Sequence, residues 1–228
     1  MEIWCMKKIL ILFFLSLIVC TASFAQPGLV WARQMGGTSH EEGISTAVDA
    51  SGNVFTTGHF VGTADFDPGP GTLSFTSAGS SDIFVSKLDA LGNFVWAKQL
   101  GGITNDQGFA LAVDPSGNVL TTGSFSGTVD FDPGSGTFNL TAIGLSDIFV
   151  SKLDDQGNFV WAKQMGGNPI PSTYDEGRSI AVDPSGNVFT TGIFYAVGDF
   201  DPGPGTFNLN SGSNSIPDIF CKQIRCFG

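Results

Sequence analysis

GNVLTTGSFSGTVDFDPGSGTFNLTAIGLSDIFVSKLDDQGNFVWAKQMGG, Gly117 to Gly167, is one complete copy of a unit that recurs on both sides of it. Gly117-Asn118-Val119 has counterparts at Gly52-Asn53-Val54 and Gly186-Asn187-Val188. Asp130 to Gly134 (DFDPG) has counterparts at Asp65 to Gly69 and Asp199 to Gly203. Ser146 to Val150 repeats Ser81 to Val85, and Gly157 to Gln164 repeats Gly92 to Gln99. The first step is 65 residues (52 to 117) and the second 69 (117 to 186). The additional residues fall in Asn168 to Tyr174, so the insertion is confined to a loop. A fixed period with loop-confined insertions marks a repeat architecture.

Within the copy the local signals are β. Runs such as Val54-Phe55-Thr56-Thr57, Ile83-Phe84-Val85 and Phe94-Val95-Trp96 are β-branched and aromatic. Pro115-Ser116-Gly117-Asn118, Asp132-Pro133-Gly134 and Gln156-Gly157-Asn158 supply turn chemistry between them. No helical period of apolar residues is sustained after residue 25. The second copy predicts four main strands: Ala110–Asp114, Asn118–Phe125, Asp147–Asp154 and Asn158–Gln164. A hairpin, Thr128–Phe131 with Thr137–Thr141, is inserted between the second and third. Four antiparallel strands per repeat is the blade of a β-propeller. The fold expected is all-β: a partial β-propeller of four-stranded antiparallel blades, each with an inserted DFDPG hairpin.

GNVFTTG, SDIFVSKLD and GNFVWAKQ resemble the bacterial SBBP-type β-propeller repeat, and the resemblance runs over nearly all of residues 28 to 220. It implies architecture rather than activity. The DFDPG hairpin departs from that family's pattern.

Met1 to Ala25 reads as a signal peptide. Lys7 and Lys8 precede the apolar run Ile9 to Cys20, and Ser23-Phe24-Ala25 offers small residues for cleavage before Gln26. A retained anchor and a lipoprotein at Cys20 are weaker readings. The run is shorter than the ~20 residues that span a bilayer, and Val19 stands where a small residue is expected. The expected location is secreted or cell-surface, with no membrane association after cleavage. The formal charge is −11; removing Glu2, Lys7 and Lys8 removes +1 and leaves −12. An acidic chain without a basic stripe argues against nucleic acid as a partner.

The remaining chain divides into an orphan outer strand at 26–37, blades at 38–102 and 103–167, a partial blade at 168–220 and an off-repeat tail at 221–228. Gln26 to Gly37 (QPGLVWARQMGG) aligns with Gln156 to Gly167 (QGNFVWAKQMGG). After Phe220 the expected VSKLD is replaced by CKQIR. Three blades fall below the four that closed rings need. The count admits two readings: a truncated, frame-shifted fragment, or an oligomer that completes a ring through its open blade faces. Cys221 and Cys226 sit in the tail, where an exported chain permits a bridge between them.

The candidate chemistry is repeated rather than unique. Asp65/Asp67, Asp130/Asp132 and Asp199/Asp201 suggest calcium, but each motif supplies about three of the six to eight oxygens calcium takes. The plainer reading is a hairpin turn locked by aspartate. Glu41-Glu42, Asp106 and Asp175-Glu176 form an acidic rim, read as solvated loop charge or a ligand surface. Trp31, Trp96 and Trp161 recur at one outer-strand position, read as inter-blade packing or sugar stacking. His40 and His59 fit no zinc spacing. No nucleophile elbow or phosphate loop is present, and no cofactor or metal is expected. The reading is a non-enzymatic scaffold or binding module for a protein or glycan ligand. Two alternatives stand beside it: a fragment of a carbohydrate-active enzyme whose catalytic blades are missing, and a calcium-stabilised surface repeat protein.

Overall fold

A computed structural model describes residues 28–170 and 173–225. Residues 1–25, expected from the sequence to be a signal peptide, and Cys226, with its expected bridge to Cys221, lie outside the described residues. The described residues are all β, with no helix among them. A short strand, Gly36–Gly37 (β1), precedes the first repeat. That repeat comprises Glu41–Val48 (β2), Val54–Phe60 (β3), Thr63–Asp65 (β4), Ser74–Thr76 (β5), Asp82–Leu88 (β6) and Phe94–Gly102 (β7). The second comprises Gln107–Val113 (β8), Val119–Phe125 (β9), Thr128–Asp130 (β10), Asn139–Thr141 (β11), Asp147–Leu153 (β12) and Phe159–Met165 (β13). The third comprises Glu176–Val182 (β14), Val188–Phe194 (β15), Val197–Asp199 (β16), Asn208–Asn210 (β17) and Asp218–Ile224 (β18).

The long strands form antiparallel meanders. β13-β12-β9-β8 is one sheet, β7-β6-β3-β2 lies within a second, and β14-β15-β18 is a third. β8 packs against β2 and β3 on one side and β14 on the other, so the first strands of successive repeats are neighbours. That arrangement is consistent with a propeller-like repeat. The core lies between successive sheets. Phe55, Val85 and Trp96 of the first repeat cluster with Leu111, Val119 and Leu153 of the second. Leu120, Ile148, Val150 and Met165 of the second cluster with Ile180, Val188 and Phe220 of the third. Each such side chain contributes ~1.5–3 kcal/mol by leaving water, so packing between successive sheets stabilises both.

The turns explain the Gly-Asn signature. In Asp114-Pro-Ser-Gly-Asn118, Asp114 Oδ1 accepts from the amides of Ser116 and Asn118, and Oδ2 accepts from Asn118 Nδ2 at 2.7 Å. The same set forms at Asp49, Asp89, Asp154 and Asp183.

Three expectations change. β8 starts at Gln107, ahead of the expected Ala110, because a bulge between Gly108 and Ala110 carries the pairing further. The DFDPG hairpin is not confined to its own repeat. β10 pairs with the end of β7, placing Val129 opposite Gly102 and Asp130 opposite Gly101. β4 pairs likewise with β1, and Asp199 bridges to Gly166. The Gly-Gly ending permits this approach, since a Cβ on Gly102 would stand 2.3 Å from the Thr128 carbonyl oxygen. Finally, the tail keeps the repeat geometry beyond Phe220. β18 continues to Ile224, with Cys221 opposite Thr191 and Ile224 opposite Val188. Ile224 is buried where Leu88 and Leu153 are, so one apolar residue at the right parity holds the strand in place.

Of the expected outer strand at 26–37, Gly36–Gly37 is the part that is paired among the described residues 28–37. Trp31 nevertheless lies over Gly92, whose Cβ would fall 2.8 Å from the indole, and donates its Nε1–H to Ala90 O at 3.2 Å. Trp96 does the same on the next repeat: its Nε1–H donates to Asp155 O at 3.0 Å, and a Cβ on Gly157 would meet Lys98 at 2.8 Å and the indole at 3.1 Å. Trp161 packs at the edge of the cluster between the second and third repeats. Gly157 and Gly186 share φ near +80°, but nothing lies within 4 Å of a Cβ on Gly186. Gly186→Ala is therefore expected to cost ~1–2 kcal/mol through backbone alone. Gly157→Ala should cost a further ~1–3 kcal/mol from overpacking against Trp96. Urea unfolding of the two variants measures the difference; equal midpoints would mean that Trp96 does not rest on that turn.

Candidate binding clefts between repeats

Phe66, Phe131 and Phe200, the central residues of the three DFDPG motifs, are 2%, 0% and 1% exposed. Phe131 stands between Phe125 (5.4 Å, edge to face) and Phe149 (5.0 Å). Phe200 meets Phe194 and Phe220 in the same way, and Phe66 meets Phe60 and Phe84. The phenylalanine pins the hairpin to its own repeat while the flanking aspartates shape its tip. Asp130 Oδ1 accepts from Asp132 N at 3.0 Å and Phe138 N at 2.8 Å, and Asp132 Oδ1 accepts from Gly134 N at 2.8 Å. Asp65/Asp67 and Asp199/Asp201 repeat the pattern. One oxygen of every one of these carboxylates is thus committed to backbone amides. Among the described residues no group of three or more His, Cys, Asp or Glu is placed to hold a metal.

Because each hairpin leans on the preceding repeat, a cleft opens between its tip and that repeat's outer strand. The largest, about 490 Å³, is lined by Leu73 and Phe75 on one side, Ala97 and Gln99 at the base, and Asp130 and Asp132 opposite. Its counterpart at the next boundary, about 400 Å³, has Phe138 and Leu140, Ala162 and Gln164, and Asp199 and Asp201. A third, also about 400 Å³, has Arg33 and Gln34 facing Asp65 and Asp67. A glutamine, an acidic tip and one basic side chain (Lys98, Lys163 or Arg33) therefore recur in register, and the first two clefts also share an apolar wall.

The acidic rim divides differently from the expectation of solvated charge. Glu42 is exposed, but Asp106 and Asp175 are 0% and 1% exposed. Asp106 accepts from the amides of Gly102 (2.7 Å) and Ser126 (3.0 Å), and Asp175 from Gly167 (3.1 Å) and Tyr195 (2.9 Å). They stitch one repeat's outer strand to the next repeat's hairpin entry. Asp82 and Asp147, which sequence reasoning passed over, are equally buried. Gln99 Nε2 donates to Asp82 at 2.6 Å and to Thr76 O at 2.9 Å, and Gln164 repeats this with Asp147 and Thr141 O. Oδ1 of each of these two aspartates is buried without a partner. Burial pushes Asp106 and Asp175 up to about 6, against the bonds from those amides. Burial, reinforced by nearby Asp175, pushes Asp147 to about 7.

His40 and His59, scattered in sequence, stack at 5.6 Å. His59 Nε2 stands 3.9 Å from Glu42 Oε2 and 3.4 Å from Gln107 Nε2. Burial lowers the His59 pKa, with Glu42 opposing. The sequence signal was the β2–β3 register, which sets Glu42 opposite His59.

Residues 95–124 and 160–192 match a family model described as SBBP, a β-propeller repeat. The matches support the SBBP repeat family. Each runs from an outer strand across a repeat boundary into the next two strands, so the SBBP segments omit the DFDPG hairpins. A WD repeat-containing protein of Acanthamoeba polyphaga mimivirus is 33% identical over 115 residues, covering 44% of this chain and 8% of its own length. The regulatory protein FlaEY of Caulobacter vibrioides is 32% identical over 113 residues, covering 47% of this chain and 12% of its own. The chain thus spans a small part of either relative.

Proposed function

We propose that this chain is an exported, propeller-type scaffold of four-stranded blades whose hairpin clefts form a row of docking places for an extended protein segment. The observation that carries this is the recurrence of one cleft at successive repeat boundaries, each with an apolar wall and paired carboxylates. The names of the relatives, a WD repeat-containing protein and a regulatory protein, support protein interaction over catalysis. Recurrence points the same way, because a reaction uses one asymmetric constellation whereas a row of similar clefts suits a ligand that contacts several at once. With a mature charge of −12 by the cleavage read from the sequence, and two tip carboxylates against a single lysine (Lys98 or Lys163) in each cleft, a segment bearing Lys or Arg is the complementary partner.

The test is a peptide array carrying basic, neutral and acidic extended segments, with a glycan array beside it. Hits are then titrated against the Asp67→Asn, Asp132→Asn, Asp201→Asn triple variant. Asparagine keeps the acceptor that locks each turn and removes the charge. Binding of basic segments that weakens at least ~10-fold in the variant, with an unchanged melting point, is expected. Binding confined to glycans, or basic-segment binding indifferent to the substitutions, would overturn the reading.

A further inference from the structure

Each of the two apolar-walled clefts is bounded by two pairs of residues, and within each pair the residues are two positions apart in the chain. Leu73 and Phe75 stand on one side of the first cleft, with Asp130 and Asp132 opposite. Phe138 and Leu140 stand on one side of its counterpart, with Asp199 and Asp201 opposite. Leucine and phenylalanine exchange places between the walls, Leu73-Ser74-Phe75 against Phe138-Asn139-Leu140, so both walls keep an apolar pair. The fold uses these walls only in part. Leu73 and Phe75 pack against the cluster around Phe66, and Leu140 against the one around Phe131. All three nevertheless stay half-buried, and Phe138 is exposed.

The acidic side is used in part as well. Oδ1 of Asp130, Asp132, Asp199 and Asp201 is taken by backbone amides. Among the described residues, Oδ2 of these four carboxylates accepts no hydrogen bond and none of the four is ion-paired. Lys98 lines the first cleft, but its stem runs to the Asp154–Asn158 turn, where a Cβ built on Gly157 would meet Cε at 2.8 Å. At the base, Gln99 and Gln164 each commit Nε2 to two acceptors of the fold. The walls are therefore left to choose the ligand.

An extended segment points successive side chains to opposite sides, and those two apart recur on one side at about 6.6 Å. Between an apolar wall and an anionic one, such a segment satisfies both only by alternating. We infer, on the docking function proposed above, that each apolar-walled cleft selects an extended protein segment in which apolar and basic residues alternate. Two apolar side chains lie against Leu73 and Phe75, or Phe138 and Leu140; the lysines or arginines between them meet Asp130 and Asp132, or Asp199 and Asp201. A basic side chain turned to the apolar wall would lose water without gaining a partner. An apolar one turned to the tip would strip water from carboxylates without replacing its bonds. Both misplacements are penalised, so the order of the residues decides binding as well as their composition.

Fluorescence anisotropy of the full chain with two labelled peptides of one composition tests this. The alternating peptide is Gly-Ser-Leu-Lys-Leu-Lys-Ser-Gly and the blocked one Gly-Ser-Leu-Leu-Lys-Lys-Ser-Gly. The alternating peptide is expected to bind about 10-fold tighter or more, at two tight sites. Phe138→Ala, at an exposed side chain, should leave one of those sites. Phe75→Ala with Phe138→Ala should bring the alternating peptide to the level of the blocked one and leave the blocked one unchanged, whereas a damaged fold would weaken both. Equal affinities that both fall in the Asp67→Asn, Asp132→Asn, Asp201→Asn variant would overturn the alternation and leave the docking function standing. So would failure of both peptides beside basic hits elsewhere on the array. Tight alternating binding that survives loss of both phenylalanines would overturn the assigned walls. Absence of any basic hit would overturn the docking function and the alternation together.

Discussion

Phe131→Ala should remove about 3–5 kcal/mol of stability, the usual cost of emptying a buried aromatic site. Whole domains have only ~5–15 kcal/mol to lose, so the variant is expected to be partly unfolded at modest denaturant. Phe131 is fully buried, and its cluster joins Ile83 and Leu100 of the first repeat to Phe125, Phe149 and Ala162 of the second. The hairpin that carries it has two strands of three residues, far too short to stand alone. Losing the ring should therefore free β10 from the end of β7 and loosen two repeats together. Phe138→Ala is the control. That side chain is 37% exposed and stacks on Phe159 at 4.9 Å, so its loss should cost ~1 kcal/mol. Guanidinium unfolding compares the two. Similar midpoints would show that the hairpin is not anchored through the DFDPG phenylalanine.

This contrast also shows what the sequence could reveal. The long strands were legible because Val, Ile, Phe and Thr runs alternate between turn signals. The Asp-x-x-Gly-Asn turns were legible because aspartate and asparagine bond within five residues of chain. The pairing of each hairpin with the preceding repeat was not. Its only local trace is the Gly101-Gly102 doublet, and the contact it permits depends on how successive sheets stand. Burial of Asp82, Asp106, Asp147 and Asp175 was hidden for the same reason. A carboxylate in SDIF or NDQG reads as solvent-facing until the next repeat closes over it. The role of Phe131 was hidden because its neighbours suggested a turn, and a lone apolar residue in DFD has no period to betray its direction.

Those buried carboxylates predict an unusual pH profile. Folding moves Asp106, Asp147 and Asp175 from 3.8 to about 6, 7 and 6. The folded state therefore holds these protons more tightly than the unfolded chain. Their contribution is fully present below pH ~4 and is lost as pH rises through about 6 to 7. The turn aspartates act in the opposite sense. Burial pulls Asp49, Asp114 and Asp154 upward, but bonds from nearby side-chain and backbone donors outweigh it and hold each pKa below 3.8. Their contribution is present above pH ~4 and is lost as pH falls through those lowered values. Together they place the optimum on the acid side of neutrality. Each pKa unit corresponds to ~1.4 kcal/mol, so a decline on the order of a few kcal/mol is expected between pH 5 and pH 8. Asp147→Asn isolates the largest share. Asparagine still accepts from Ile143 N and Gln164 but carries no charge for Asp175 to repel. Thermal melts in matched ionic strength should show the wild-type midpoint falling between pH 5 and 8, and a shallower fall in the variant. A wild-type midpoint that rises across that interval would mean that these carboxylates are hydrated, and that the seam between repeats is open to water.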